Sequence, residues 1–184
     1  IDSARIKSTS QRLSEILNSI EKVQSHDELR GLEGTAARLY FNEFDELILK
    51  QKEEFSFTIR TRRPPLDKVN ALLSFVYTLL SHDCASALES VGLDSYIGFF
   101  HTDRPGRVSL ALDLMEEFRA CLADRFVLSL INRKEIDKDD FMNYENGTVY
   151  LNDEGRKKVI QAWQIKKNEE LTHPYLLEKI NSGL

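Results

Sequence analysis

Four side chains that could bind a cation or move a proton sit on stretches that otherwise read as apolar: Glu33, His101, Asp113 and Glu116. Glu33 shares a helical stripe with Ala36, Ala37, Tyr40 and Phe44, so its carboxylate must be paired or neutralised to be tolerated there. Gly31 and Gly34 flank it, each costing a helix about 1 kcal/mol relative to alanine. That cost is intelligible if another backbone or a ligand packs closely at this point. A plainer alternative is an ion pair with an arginine such as Arg38. His101 follows the apolar run Ile97-Gly98-Phe99-Phe100, either as a packed, hydrogen-bonded ring or as a ligand. Asp113 and Glu116 are three apart on one helix, and two like charges at that spacing repel unless a cation lies between them. A divalent ion is one solution and Arg119 is the other. One histidine with two or three carboxylates suits Mn²⁺ or Mg²⁺, the imidazole tilting the choice towards Mn²⁺. No Cys₂His₂ set, H-E-x-x-H string, Walker A loop or G-x-S-x-G elbow competes.

The elements that must position these residues read as helices. Ile6, Leu13, Ile16, Leu17, Ile20 and Val23 form a stripe over residues 3–24. Ser25 and Glu28 then make a capping box for a helix through about Leu49. Residues 52–61 read as a loop or short extended segment, followed by Arg62-Arg63-Pro64-Pro65, and a double proline can precede a helix but not interrupt one. From Leu66 to Val91 one apolar face holds for about seven turns, and Gly92 stands where a left-handed residue would end it. After the Pro105-Gly106 break a helix is predicted over 108–132. Asn146-Gly147, between Phe141 and Tyr150, signals a hairpin. A last helix is predicted over 153–171 with Val159, Ile160 and Trp163 inward, before His173-Pro174. The fold class is all-α with one small β-hairpin, and residues 1–184 read as a single helical domain.

Composition narrows the function classes. Hydrophobic residues make up 41% and charged residues 30% of the 184, an ordinary globular mixture with enough chain for a sizeable core. The net charge of −5 argues against nucleic-acid binding by bulk charge, so any such contact must use a local basic patch. Cys84 and Cys121 lack metal-site spacing and read as small buried hydrophobes. No apolar run approaches a membrane span and no signal peptide is visible, so the cytoplasm is the expected compartment. The start at Ile1 reads as a fragment of a longer protein.

Several strings, in order, resemble the CRISPR-associated spacer integrases, the "Cas-one" family. They are Leu32-Glu33-Gly34 leading into Ala37-Arg38-Leu39-Tyr40, then Arg63-Pro64-Pro65-Leu66-Asp67-Lys68-Val69-Asn70-Ala71-Leu72-Leu73-Ser74, then Ala87-Leu88-Glu89-Ser90-Val91-Gly92-Leu93-Asp94 and Gly98-Phe99-Phe100-His101. Leu110-Ala111-Leu112-Asp113-Leu114-Met115-Glu116-Glu117-Phe118-Arg119 completes the series, which Gly147–Gly155 and His173-Pro174 extend. The wording is closest to the type I-C branch. The resemblance implies a metal site of Glu33, His101 and Glu116 holding Mn²⁺ or Mg²⁺, with Asp113 as a supporting acid. It implies an endonuclease and integrase that inserts spacers into a repeat array by phosphodiester transesterification on double-stranded and branched DNA. Implied partners are a second copy of the chain and the small dimeric "Cas-two" protein, with no membrane. Arg38, Arg62, Arg63, Arg104 and Arg107 are the candidate phosphate contacts, Arg104 matching a basic position in relatives. Lys157, Lys158, Lys166 and Lys167 read as the wet face of the last helix.

The sequence departs from the family pattern in four ways. The N-terminal β-domain is absent, glutamate stands at position 116 where many relatives have aspartate, and Ala120 replaces a frequent proline. The tail after His173 is also short. A non-catalytic helical module that binds nucleic acid or protein, and a different metal-dependent nuclease, are the alternatives.

Overall fold

The computed structural model describes residues 4–102, 104–172 and 179–181. Its central element is α3 (Lys68–Ser90), which starts where Asp67 accepts a hydrogen bond from the Asn70 N–H. It stops as the sequence predicts: Gly92 takes φ +80° and the Leu93 N–H closes onto the Leu88 carbonyl at 3.0 Å. By length and composition α3 could cross a membrane, contrary to the expectation that no segment comes close. In this fold its apolar face is the core instead, with Val69, Leu72, Leu73, Val76 and Leu80 at 0% exposure.

α4 (Ser109–Phe118) and α5 (Arg125–Asn132) pack on α3. The sequence predicts one helix over 108–132. The path is helical throughout, but a π-helical turn at Arg119–Asp124 joins the two parts. An added residue per turn rotates the following side chains, and this brings Asp124 inside at 1% exposure.

α1 (Ala4–Ile20) and α2 (His26–Asn42) form an antiparallel-type pair packed on each other. The Ser25 hydroxyl caps α2 by accepting from the Glu28 N–H at 3.2 Å, and Glu28 returns to the Gln24 N–H at 3.0 Å. α1 contributes no buried residue, so its apolar stripe ends on α2 and leaves Leu17 and Ile20 partly in solvent. α2 ends at Asn42 rather than near Leu49, because the chain there is claimed by tertiary contacts. Asp45 accepts from the Phe57 N–H at 2.8 Å, and Asn132 accepts from the Leu49 and Lys50 N–H groups at 2.7 and 3.1 Å. The loop that follows is pinned by Phe55 and Phe57, both buried.

The expected hairpin forms from β1 (Phe141–Asn143) and β2 (Val149–Leu151), antiparallel, with Gly147 at φ +78° in the turn. α6 (Asp153–Lys167) buries Val159 and Trp163, but Ile160 is 40% exposed, correcting its inward placement. The helix ends at Lys167, not Leu171. Glu170–Thr172 (β3) instead pairs with Lys179–Asn181 (β4) as a second two-stranded ladder, an addition to the single hairpin expected. Lys167 is not on a wet face either: it reaches Asp83 at 2.9 Å beside the Trp163 indole, which donates to the same carboxylate at 2.7 Å. His173-Pro174 lies outside the described residues.

Candidate active site

His101 is positioned by Asp113. The Asp113 carboxylate accepts the backbone N–H groups of Phe99, Phe100 and His101 at 2.5, 2.9 and 2.9 Å, and lies 2.6 Å from His101 Nδ1. Burial pushes this carboxyl up, but the Phe100 N–H, the His101 ring and the N–H groups of Phe99 and His101 together hold it below the usual aspartate range. An ionised acceptor fixes the proton on Nδ1 and leaves the Nε2 lone pair free to ligate. Asp113 therefore folds the 99–101 segment and sets the ring tautomer at once. Gly98 makes the turn possible: a Cβ there would stand 2.5 Å from Ser109 Cβ and 2.7 Å from the His101 carbonyl.

Glu116, one turn further along α4, faces the other two acids of the expected set only in part. It lines an apolar cleft of about 310 Å³ together with Glu33, Phe100, Ile16, Ile20 and Leu32. Burial raises its carboxyl above the usual range, Arg119 and His101 oppose this, and the Glu33 charge reinforces it. Arg119 lies 2.8 Å away. The repulsion anticipated between Asp113 and Glu116 is thus resolved by separate partners, His101 for one and Arg119 for the other. Glu33 is exposed and makes no ion pair among the described residues, so the Arg38 pairing does not form. Among the described residues no three His, Cys, Asp or Glu side chains converge as a ready ligand set. The fold brings Glu33 and Glu116 to one cleft mouth beside Phe100, and Glu33 and His101 both lie near enough to act on the ionisation of Glu116, without the three closing on a point. The donor set fits a hard divalent ion: a free imidazole nitrogen and two carboxylates, one of them raised chiefly by its burial and further by the charge of the other. The crowding expected at Gly31 and Gly34 is absent, since no atom lies within 4 Å of a Cβ built at either.

The arginines divide. Arg62 is close enough to Glu116 to act on its ionisation and, with Arg63, is exposed and without an ion pair. Arg38, Arg104 and Arg107 lie on the surface with no such link to the carboxylates. Sequence reasoning missed a buried network behind the site. Tyr77 donates to Asp124 at 2.5 Å, and Tyr40 lies near enough to the same carboxylate to lower its pKa. Arg60 and Arg119 stack on the Tyr77 ring at 5.3 and 5.7 Å. Arg60 also donates to Asn70 Oδ1 at 2.8 Å and to Ser74 Oγ at 3.2 Å. Burial first, then Asp124, raises both tyrosine hydroxyls. Only the π-turn makes Asp124 face inward, and no periodicity signals that. Arg30 was also missed: it donates to the Phe100 carbonyl at 3.0 Å and lies over the Phe100 ring at 5.4 Å, tying α2 to the His101 segment. Cys84 is buried, its thiol pushed up to about 12 by burial, and is chemically inert.

The sequence profile of the CRISPR associated protein Cas1 family matches residues 2–165. A CRISPR-associated endonuclease Cas1 of Rhodospirillum rubrum is 53% identical over 180 residues, covering 97% of this chain and 52% of the relative. The chain thus spans about half the length of that curated relative. A casposase solved bound to its integration product shares 34% identity at a TM-score of 0.77, over 91% of this chain and 49% of that one. A chain of a partial Cas6-RT-Cas1–Cas2 complex shares 30% identity at a TM-score of 0.80, over 89% and 49% of the two chains.

Proposed function

Because the chain belongs to the CRISPR-associated Cas1 family, we propose that residues 1–184 are the helical catalytic region of a divalent-metal-dependent DNA integrase that inserts spacers into a repeat array. The observation that carries this reading is that Glu33 and Glu116 line one cleft, with His101 near enough to act on Glu116 and held by Asp113 so that Nε2 is available. Glu33, His101 and Glu116 would hold Mn²⁺ or Mg²⁺. When bound, such an ion supplies charge stabilisation at the reacting phosphate and lowers the pKa of the attacking hydroxyl.

In the reaction a 3′-hydroxyl oxygen forms a new bond to phosphorus as the bond to a repeat 3′-oxygen breaks. The leaving oxygen takes up a proton, and the number of phosphodiester bonds is unchanged. No covalent enzyme intermediate is needed, so the protein's task is positioning and charge. Asp113 keeps the imidazole in one tautomer and one orientation. Arg62, which acts on Glu116, and its neighbour Arg63 bind the phosphate backbone, with Arg38, Arg104 and Arg107 as outer contacts. A local basic rim of this kind reconciles DNA binding with a net charge of −5. The solved relatives support DNA, and a Cas2 protein, as partners, and a second copy of the chain is proposed with them. The cytoplasm is the proposed compartment.

A second reading, a non-catalytic helical binding module, draws on Arg119 occupying Glu116. Calorimetric titration with Mn²⁺ separates the two. One site is expected in the wild-type chain, lost in Glu116→Ala and Glu33→Ala. Strand transfer on branched DNA should fall with it in both variants and in His101→Ala. Equal Mn²⁺ uptake by wild type and Glu116→Ala would remove that residue from the site, and metal-independent DNA binding alone would favour the module.

A further inference from the structure

The Arg62–Arg63 turn is shared by two clefts that have Arg62, Arg63, Ser74 and Thr78 in common. One, of about 360 Å³, runs along α3 past Ser81 and His82 to Met115, the neighbour of Glu116. The other, of about 390 Å³, runs from the same arginines to the β1–β2 hairpin, where Phe75, Pro64, Pro65 and Tyr150 wall it. The first holds Arg60 and Tyr77 of the network behind the candidate active site. Nothing in the reaction so far uses the second.

Tyr150 is an unusual side chain for a surface hairpin. Its neighbours in β2, Val149 and Leu151, are 6% and 4% exposed and face the core, while Tyr150 is 45% exposed. Tyr144 braces its ring edge-on at 5.9 Å. The Val149 N–H donates to the Pro65 carbonyl at 3.0 Å, fastening the strand to the arginine turn. The ring is therefore braced in a cleft it shares with two exposed guanidinium groups, neither of which has an ion pair among the described residues. Arg156, on the same wall, is already paired with Asp153. A flat π-face with adjacent unsatisfied cations, around a space of this size, is complementary to an anion carrying an aromatic ring. Inorganic phosphate would use the arginines and ignore the tyrosine; an apolar peptide would leave both arginines unmet.

We propose that the hairpin cleft holds one unpaired nucleotide of the DNA, its base stacked on Tyr150 and its phosphate on Arg62 and Arg63. The inference rests on the DNA reading above and adds to it a base-stacking subsite outside the carboxylate cluster. Since the two clefts share their arginine wall, a strand anchored at Tyr150 continues along α3 towards Glu116. The recognition is indifferent to base identity, because every base has a π-face.

The test uses the 184-residue chain in EDTA, where strand transfer cannot contribute. A short oligothymidylate bearing one 2-aminopurine and a blunt duplex are titrated into wild type, Tyr150→Ala, Tyr150→Phe and Arg63→Ala. Tyr150→Ala is expected to weaken single-strand binding on the order of tenfold, abolish the 2-aminopurine quenching, and leave the duplex affinity unchanged. Tyr150→Phe should match wild type, since the phenol hydroxyl has no partner to lose. Arg63→Ala should weaken both DNAs and flatten the salt dependence. Unchanged single-strand affinity in Tyr150→Ala overturns the proposal, as does an equal loss for strand and duplex. If Tyr150→Ala fails to fold, Tyr150→Leu keeps the bulk without the π-face and is held to the same two outcomes. Tyr150-dependent binding in a protein that shows no strand transfer would sink the integrase reading and leave this subsite standing. Intact strand transfer with no Tyr150 effect would do the reverse.

Discussion

The Arg119 guanidinium lies 2.8 Å from Glu116 Oε1, so the carboxylate proposed as a metal ligand already has a cation. The pair is half-buried, at 17% and 30% side-chain exposure, and a divalent ion must displace it. Removing the competitor is expected to tighten Mn²⁺ binding roughly three- to tenfold in Arg119→Ala, the scale of a modest ion pair. Calorimetry at neutral pH measures this directly. Weaker binding in the variant would mean that Arg119 orients Glu116 for the metal instead of competing for it.

Asp113→Asn tests the anchoring of His101. Three backbone N–H groups and an imidazole converge on one ionised carboxylate, and bonds to a charged acceptor contribute about 1.5–3 kcal/mol each where they are buried. The asparagine keeps one acceptor oxygen, so a loss of about 2 kcal/mol is expected at pH 7. The pH dependence has a definite sign. Asp113 is held below its ordinary range in the folded state, so its contribution is complete above the unfolded-state pKa and disappears as pH falls through the lower folded value. Denaturant midpoints of wild type and variant should converge below about pH 4. A gap that stays constant down to pH 2 would show that the carboxylate charge is not what stabilises the loop.

These two residues show how much was legible beforehand. Glu33, His101, Asp113 and Glu116 could be singled out because each interrupts or borders an apolar pattern, and α3 could be bounded because Gly92 and Asp67 are local signals. What Asp113 does was not legible. Its partners lie twelve to fourteen residues upstream, in a segment with no periodicity, and spacing on α4 suggests only its neighbour Glu116. Asp124 was hidden for a different reason: a π-turn shifts the register of the helix mid-course, and the expected face of a regular helix no longer applies. The early end of α2 and the stop of α6 at Lys167 are cases where tertiary hydrogen bonds and strand pairing override helical propensity. Arg60 reads as one more surface cation until Asn70 and Ser74 of α3 are seen to hold it.

Gly98→Ala is expected to act on the site from outside it. The added Cβ meets Ser109 Cβ at 2.5 Å and the His101 carbonyl at 2.7 Å, and neither is the end of a flexible side chain. The 98–101 segment must move, at a cost of about 1–3 kcal/mol, and His101 moves with it. Mn²⁺ affinity should fall in parallel with thermal stability, whereas Gly31→Ala, inside α2 with open space around it, should raise stability slightly and leave Mn²⁺ binding alone. Comparable effects of the two substitutions would refute the steric account.

Asp124→Ala should be the most damaging single change behind the site. It removes the acceptor of Tyr77 and leaves that hydroxyl and the Arg60 and Arg119 charges around an apolar methyl. An orphaned buried polar group costs about 1–3 kcal/mol and breaking a buried charge pair about 3–5 kcal/mol, so a loss of roughly 3–5 kcal/mol is expected, against about 1 kcal/mol for Tyr77→Phe, which deletes one bond and leaves the carboxylate near both arginines. Burial raises the Asp124 carboxyl above the usual range despite both tyrosines and both arginines. The associated stability term is therefore full below the unfolded-state pKa and declines as pH rises through the folded value. Urea denaturation of wild type, Asp124→Asn and Asp124→Ala at several pH values tests this. Asp124→Asn, which keeps an acceptor without the charge, should recover most of the alanine loss, and its advantage over alanine should be nearly independent of pH. If asparagine is as destabilising as alanine, the ionised carboxylate itself, and not the hydrogen bonds it accepts, holds Tyr77 and Arg119 in place behind Glu116.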